Sequence, residues 1–430
     1  MSLSRIKSFL VFATLAILIF NSASVRAAAT DAMANTPADA KPFSENYFCM
    51  HDHDKPGYET AFANAPFAVF RTWDSGAVWP TIEPRKGEFD WKLLDSYAAL
   101  ARAKGAKIIF TIGMSPKWAA KNPDAPSPYS NLGSSPPADL DDWRNFVRAI
   151  AERNEKVYGG TIRYWEIWNE PDNIVRGYEF YTGTIGELVE LARAAREILK
   201  QVNPENMIVS PGITQVGQRW LGDFLSQGGA QVVDIIGVHF YWDWYATSVS
   251  DFKVTMDGVR KAMAENGCAD KPLWVTETGF SVSRYKTAGE RDMALALTVI
   301  APRFTGADVC CAYAWNNGMF TTMYDIDAGR ETAVAGAYRE LHKWLAGATM
   351  KSLGRGKGKS TVCELERGGK HARIVWRNAP GTADFDAGTG GGLHAYRLDG
   401  TSVSVAADGK VRIGASPVLI GDSDYLNDTK

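Results

Sequence analysis

Two stretches of the sequence end in a glutamate set among aromatic and small polar neighbours: Trp165-Glu166-Ile167-Trp168-Asn169-Glu170-Pro171 and Leu273-Trp274-Val275-Thr276-Glu277-Thr278-Gly279. Two carboxyl groups that face each other across a cleft can divide a reaction between them. One gives a proton to a departing oxygen while the other attacks the carbon being left. The division requires two like groups held at different pKa values, which burial and neighbouring charges can achieve. On this reading Glu170 and Glu277 are the candidate pair, one to be kept protonated and the other ionised. Glu166 lies four residues before Glu170, within the strand, and is the poorer candidate. His51-Asp52-His53 opens a competing reading as a metal-dependent hydrolase. That chemistry needs further histidines and an aspartate on later strands. Only six histidines are present, and the relevant runs end in Ser210-Pro211-Gly212 and Trp315-Asn316-Asn317. No metal and no cofactor is therefore read from the sequence.

The elements that must position these residues alternate in kind. Apolar, strand-like runs occur at 47–50, 67–73, 107–113, 164–168, 207–211, 235–241, 273–276 and 309–315. Helical patterns separate them at 91–104, 140–157, 185–202, 252–266, 291–304 and 333–345, with a fainter one near 220–225. Leu94, Tyr97, Ala98 and Ala101 show the three-and-four spacing of a buried helix face, and Gly105 follows as a stop. Eight strand-then-helix repeats predict a (β/α)8 TIM barrel spanning 44–348, whose functional groups gather where strands end. An open doubly wound sheet is the alternative, but no glycine-rich phosphate loop follows any strand. Strands four and seven lie on opposite sides of a barrel mouth, so Glu170 and Glu277 can converge there as two-carboxylate glycoside hydrolysis requires.

Asn169-Glu170-Pro171 after an aromatic-rich strand, with Thr276-Glu277 three strands later, resembles clan A of the glycoside hydrolases. Ile82-Glu83-Pro84 through Trp91, Ser115-Pro116-Lys117-Trp118 and Tyr324-Asp325 are similar to sequences of that clan, and within it most to glycoside hydrolase family 39 and related exopolysaccharide-associated endoglycosidases. The resemblance covers about 300 residues. It implies a retaining β-glycosidase acting on a polysaccharide or oligosaccharide, with Glu170 as acid/base, raised by burial beside aromatics and by the Glu277 charge, and Glu277 as nucleophile, kept ionised by Arg71. Further roles follow from it: Arg71 donating to Glu277, Asn169 binding the sugar 2-hydroxyl, and, from His239-Phe240-Tyr241, Tyr241 orienting Glu277 while His239 lines the sugar site. Trp315 would floor the sugar ring. A barrel that keeps the fold but only binds glycans is the other reading, against which both glutamates stand.

The 25-residue stretch 114–138 carries six prolines and far exceeds the usual connection of about 2–6 residues, so it is read as a wall of the substrate cleft. Trp118 and Tyr129 on it, and Trp242 and Trp244 opposite, offer flat faces for a sugar ring.

Arg5 and Lys7, an apolar run over 9–20 and small residues to Ala29 have the form of a signal peptide ending near residue 27, so an exported mature chain without membrane insertion is expected. A mobile segment is expected over 28–43, and a small β domain over 349–430 whose most loop-like part is 381–392. Net charge of -2 gives no footprint for nucleic acid. Of the five cysteines, buried free thiols are favoured over a disulfide.

Overall fold

The computed structural model describes residues 36–53, 62–129, 133–175, 177–242, 248–388 and 392–426. The leader expected over 1–27, and the chain to residue 35, lie outside the described residues. Among the described residues no helix is long and apolar enough to cross a membrane.

Eight parallel strands form the central sheet: β1 (Phe48–His51), β2 (Val69–Arg71), β3 (Lys107–Ile112), β4 (Ile162–Ile167), β5 (Met207–Val209), β6 (Ile236–Trp242), β7 (Leu273–Phe280) and β8 (Val309–Ala312). They pair in the order β5-β4-β3-β2-β1-β8-β7-β6. Parallel bridges Val209↔Ile235 and Ile213↔Val238 join the two outer strands, so the sheet closes into the expected barrel. Helices return the chain between strands: α1 (Lys92–Lys104), α2 (Leu140–Arg153), α3 (Ile185–Val202), α4 (Gln218–Phe224), α5 (Val249–Glu265), α6 (Ala288–Phe304) and α7 (Ala333–Leu345). Their starts are written in the sequence. Thr184, Ser248 and Thr287 accept from the backbone three residues on, and Glu187, Asp251 and Glu290 reach back to the cap, satisfying two orphan donors at each helix.

The barrel interior changes character along its axis. Cys49, Val69, Ile109, Val209, Ile235, Trp274, Val309 and Cys311 form an apolar layer, with Tyr164 and Met207 against it. Side chains alternate across a strand, so residues two further on share the interior face. There the chain carries His51, Arg71, Thr111, Glu166, Gly237, Thr276 and Tyr313. This second layer, toward the carboxyl ends of the strands, is polar.

Three expectations are corrected. Cys49 and Cys311 are opposed on β1 and β8 and form a disulfide with 4.1 Å between their Cα atoms, while Cys268, Cys310 and Cys363 are free and buried. A sequence separation of 262 residues conceals that adjacency. The segment before β1 is held rather than mobile where it is described: Ala38 N–H donates to Phe304 O at 2.9 Å, Phe43 N–H to Ala348 O at 2.8 Å, and Lys41 pairs with Asp308 at 2.7 Å. Phe43 is fully buried, which fixes the chain there. Within 381–392, strand Ala383–Asp386 pairs antiparallel with Lys410–Ile413 because Phe385 packs on the domain core.

The C-terminal region otherwise has the expected β character. Its six-stranded sheet runs Thr349–Gly356, Ser360–Arg367, Lys370–Arg377, Val418–Asp422, Leu393–Arg397, Ser402–Val403 in spatial order. Arg367 docks it on the barrel, donating to the carbonyls of Lys343 at 3.0 Å in the last turn of α7 and Ala346 at 2.7 Å just past it.

Candidate active site

Two irregularities aim the paired glutamates. β4 ends in left-handed steps, with φ of 66° at Trp168 and 44° at Glu170, conformations that bulky side chains disfavour and that collect at functional sites. They are held from both sides. The Trp168 indole N–H donates to Phe180 O at 2.8 Å, and Glu170 N–H donates to Gly212 O at 2.8 Å. β7 uses a bulge instead. Val238 pairs with Val275, but the next pair is His239 with Glu277, so Thr276 is extra. Strict alternation would put Thr276 inward and Glu277 outward; the bulge re-aims Glu277 into the interior.

Arg71 organises what converges there. It is fully buried, and its Nη1 donates to Glu277 Oε2 at 2.8 Å. Nε and Nη2 donate to Glu166 Oε2 at 2.9 and 2.6 Å, and Nη2 also to Asn169 Oδ1 at 2.8 Å. Thr111 Oγ1 adds a bond to Glu166 at 2.6 Å. Glu166, the poorer candidate acid in the sequence, is thus the anchor of the guanidinium that holds Glu277. The Tyr241 hydroxyl donates to the other oxygen, Glu277 Oε1, at 2.5 Å.

Glu170 is held differently. Asn173 Nδ2 donates to its Oε2 at 2.5 Å, and His239 Nδ1 lies 2.8 Å from its Oε1. One oxygen of Glu170, one nitrogen of His239 and one oxygen of Glu277 all lie within 4.8 Å of one another. Among the described residues these three also form the one group of ligating side chains close enough to share a cation, and neither His51 nor His53 belongs to it.

Burial pushes the Glu170 carboxyl up to about 7, against the pull of Asn173 and Arg71 and with the added repulsion of Asp74 and Glu166. Burial also raises Glu277, against the pull of Arg71 and the Tyr241 hydroxyl. The sequence reading, in which Arg71 alone kept Glu277 low, omitted that burial. His239 is lowered by burial and so sits neutral between the two acids.

Residues 145–344 match the glycosyl hydrolase catalytic core family. The chain is a glycoside hydrolase. Solved structures similar to this hydrolase include a family 39 glycoside hydrolase from the gut symbiont Bacteroides cellulosilyticus WH2, at 17% identity and a TM-score of 0.66, over 88% of this chain and 82% of that one. A family 39 β-xylosidase from Caulobacter crescentus aligns at 16% identity and 0.63, over 90% and 98%. A family 30 subfamily 8 xylanase from Clostridium acetobutylicum aligns at 15% and 0.62, over 91% and 98%. At such identities the likeness establishes the fold, and it agrees with the clan A resemblance carried by Asn169-Glu170-Pro171. No curated protein matches the chain.

Other residues expected at the hydrolase site are placed elsewhere. Trp315 is fully buried, near Phe62 and stacked with Tyr324, so it fills the core rather than flooring a sugar site. His239 does stand at the site, 1% exposed, with Nδ1 at 2.8 Å from Glu170 Oε1 and 3.8 Å from Glu277 Oε2. Trp118 spends its indole N–H on Glu83 O at 3.0 Å and meets Trp79 edge-on, as a rim-packing residue does. Trp242 is fully buried against Phe252, and Trp244 lies outside the described residues. Tyr129 does approach the site: its hydroxyl accepts from the Trp73 indole at 3.1 Å, within electrostatic reach of Asp74, Glu277 and Glu170. Sequence reasoning missed Asn173, Asp74 and Tyr313. For Tyr313 a signal existed, since it lies two residues beyond interior-facing Cys311.

Proposed function

We propose that this hydrolase is a retaining β-glycosidase of polysaccharides or oligosaccharides, with Glu277 as nucleophile and Glu170 as general acid/base. The observation that carries the reading is the close approach of the two carboxyls, with oxygens within 4.8 Å. Retaining enzymes separate the pair by about 5–5.5 Å, whereas inversion needs about 6.5–9.5 Å to admit a water. Glu277 Oε2 attacks the anomeric carbon as Glu170 passes its proton to the leaving oxygen, giving a covalent glycosyl-enzyme. A water then attacks the same carbon, yielding its proton to Glu170 and releasing Glu277. A carboxyl poised at about 7 suits a group that must give and then take a proton near neutrality. Arg71 and Tyr241 favour the carboxylate form of Glu277, as attack requires, and Asn169, fixed through Oδ1, is positioned to offer its amide to a sugar hydroxyl. The basic and apolar start of the sequence supports export as the protein's route.

Proton NMR of the first-formed product tests the stereochemistry: β-configured sugar supports the reading, and an initial α anomer overturns it. Role assignment is tested by leaving groups. General acid catalysis contributes about 10²–10⁴ in rate, so Glu170→Ala should slow natural glycans by that factor and activated aryl glycosides far less, while Glu277→Ala fails on both. Equal losses on both substrate types in the Glu170 variant would contradict the roles.

A further inference from the structure

The mouth holds a further carboxylate, Asp74, to which the double displacement gives no part. Asp74 follows β2 and sits at φ 59°, a left-handed conformation that non-glycine residues keep where surrounding structure requires it. Tyr313, continuing β8, donates its hydroxyl to Asp74 Oδ2 at 2.8 Å and accepts from Asn317 Nδ2 at 3.3 Å. The Tyr313 ring stands edge-on to His51 at 4.5 Å between centroids and to Tyr241, which holds Glu277, at 6.0 Å. The charge of Asp74 acts on Arg71, on the Glu170 carboxyl and on the hydroxyls of Tyr129 and Tyr313, and the charge of Glu277 reaches the same two tyrosines. Asp74 thus stands at the same strand-end mouth, joined to Glu277 through Tyr313 and Tyr241.

Arg71, the guanidinium at this mouth, is already committed. Arg71 is divided among Glu166, Asn169 and Glu277, with no donor directed to a substrate carboxylate. His51 and His239 are held neutral by burial, and His53 donates its backbone N–H to Asn316 Oδ1 at 2.8 Å and sets its ring edge-on to Tyr313 at 6.0 Å between centroids. Asp74 is only partly buried, and among the described residues its one hydrogen bond comes from the neutral Tyr313 hydroxyl. A carboxylate fixed through one oxygen and not neutralised accepts from hydroxyl or ammonium groups and repels another carboxylate.

We propose that Asp74 contacts the sugar at the cleavage point and sets the charge the site accepts there, favouring neutral and amino sugars over uronic acids. This rests on the glycosidase reading of the same site.

The test uses the full chain and matched aryl β-glycosides of gluco and manno configuration, each as the neutral sugar, the 2-amino sugar and the uronide. The parent should turn over the neutral and amino substrates at least about tenfold better than the uronide. Asp74→Asn should lower kcat/KM on the favoured substrates about 10–100-fold, the worth of a hydrogen bond to a charged group, chiefly through KM, and should narrow the gap to the uronide. Asparagine tolerates the left-handed backbone as aspartate does and still accepts from Tyr313, so an unchanged Tm separates lost contact from lost fold. Tyr313→Phe, which keeps the carboxylate and removes its anchor, should give a smaller loss of the same kind. A parent that prefers the uronide, or an Asp74→Asn selectivity equal to the parent's, overturns the proposal. Folded parent without turnover on any of the glycosides overturns the glycosidase reading itself, and this one with it.

Discussion

The barrel mouth and the C-terminal sheet use charge in opposite ways. In the C-terminal β region, Val375, Ala395, Val411, Ile413, Val418 and Ile420 form an apolar cluster, and Arg412 and Asp384 on its two-stranded pair meet at 3.0 Å with side chains 60% and 52% exposed. In the mouth, Arg71 and Glu166 have no exposed side-chain surface at all and Glu277 has 9%. Left-handed Asp74, Met114, Trp168 and Glu170 follow barrel strands, against Lys359 at one turn of the C-terminal sheet. Desolvated ions are costly unless every partner is in place. The mouth therefore depends on completeness, whereas the sheet depends on area, and damage to the two should read out differently.

The contrast breaks first at Arg71. Arg71→Met leaves Glu166 and Glu277 buried without their cation, and urea denaturation should show a loss of about 3–5 kcal/mol together with loss of turnover. Ile420→Ala in the sheet should cost about 2–5 kcal/mol through the cavity it leaves, with kcat per folded molecule unchanged; a matching fall in kcat would mean that the sheet shapes the site. Glu170 gives a pH-dependent case. Its folded pKa of about 7 lies above the unfolded value of about 4.3, so the folded state alone holds the proton between them and stability falls as pH rises through that window. Glu170→Gln should therefore be more stable than the parent by up to about 3 kcal/mol at about pH 8 and gain nothing at about pH 4, compared by thermal melts. The smallest effect belongs to the sheet surface. Arg412→Met should change stability by no more than about 0.5 kcal/mol, and a cost equal to that of Arg71→Met would erase the distinction.

The barrel was legible because its signals are local and repeated: apolar runs for β1 to β8, capping residues such as Thr184 and Thr287, and a glycine stop at Gly105. Glu170 and Glu277 were legible from their strands. What aims them was not, because a bulge at Thr276 and left-handed turns at Trp168 and Glu170 are choices made by neighbouring strands rather than by local pattern. The same cause explains Trp315 and Trp242. Position at a strand end did not reveal that Tyr324 covers one and Phe252 the other. Glu166 was undervalued for lying inside a strand, although its two-residue spacing from interior-facing Tyr164 already placed it beside Arg71.

The disulfide between Cys49 and Cys311 imposes an order of events on the chain. Cys49 is made first, and Cys268 and Cys310 both appear before its proper partner. Oxidation that simply took thiols as they emerged would tie the first strand to the wrong place. Only the docking of β8 beside β1, with Cys49 opposite Cys311 and Cys310 turned to hydrogen-bond Thr298 on the other face, selects among them. The bond is thus a record of pairing between β1 and β8, and a molecule carrying it has already brought its first and last barrel strands together.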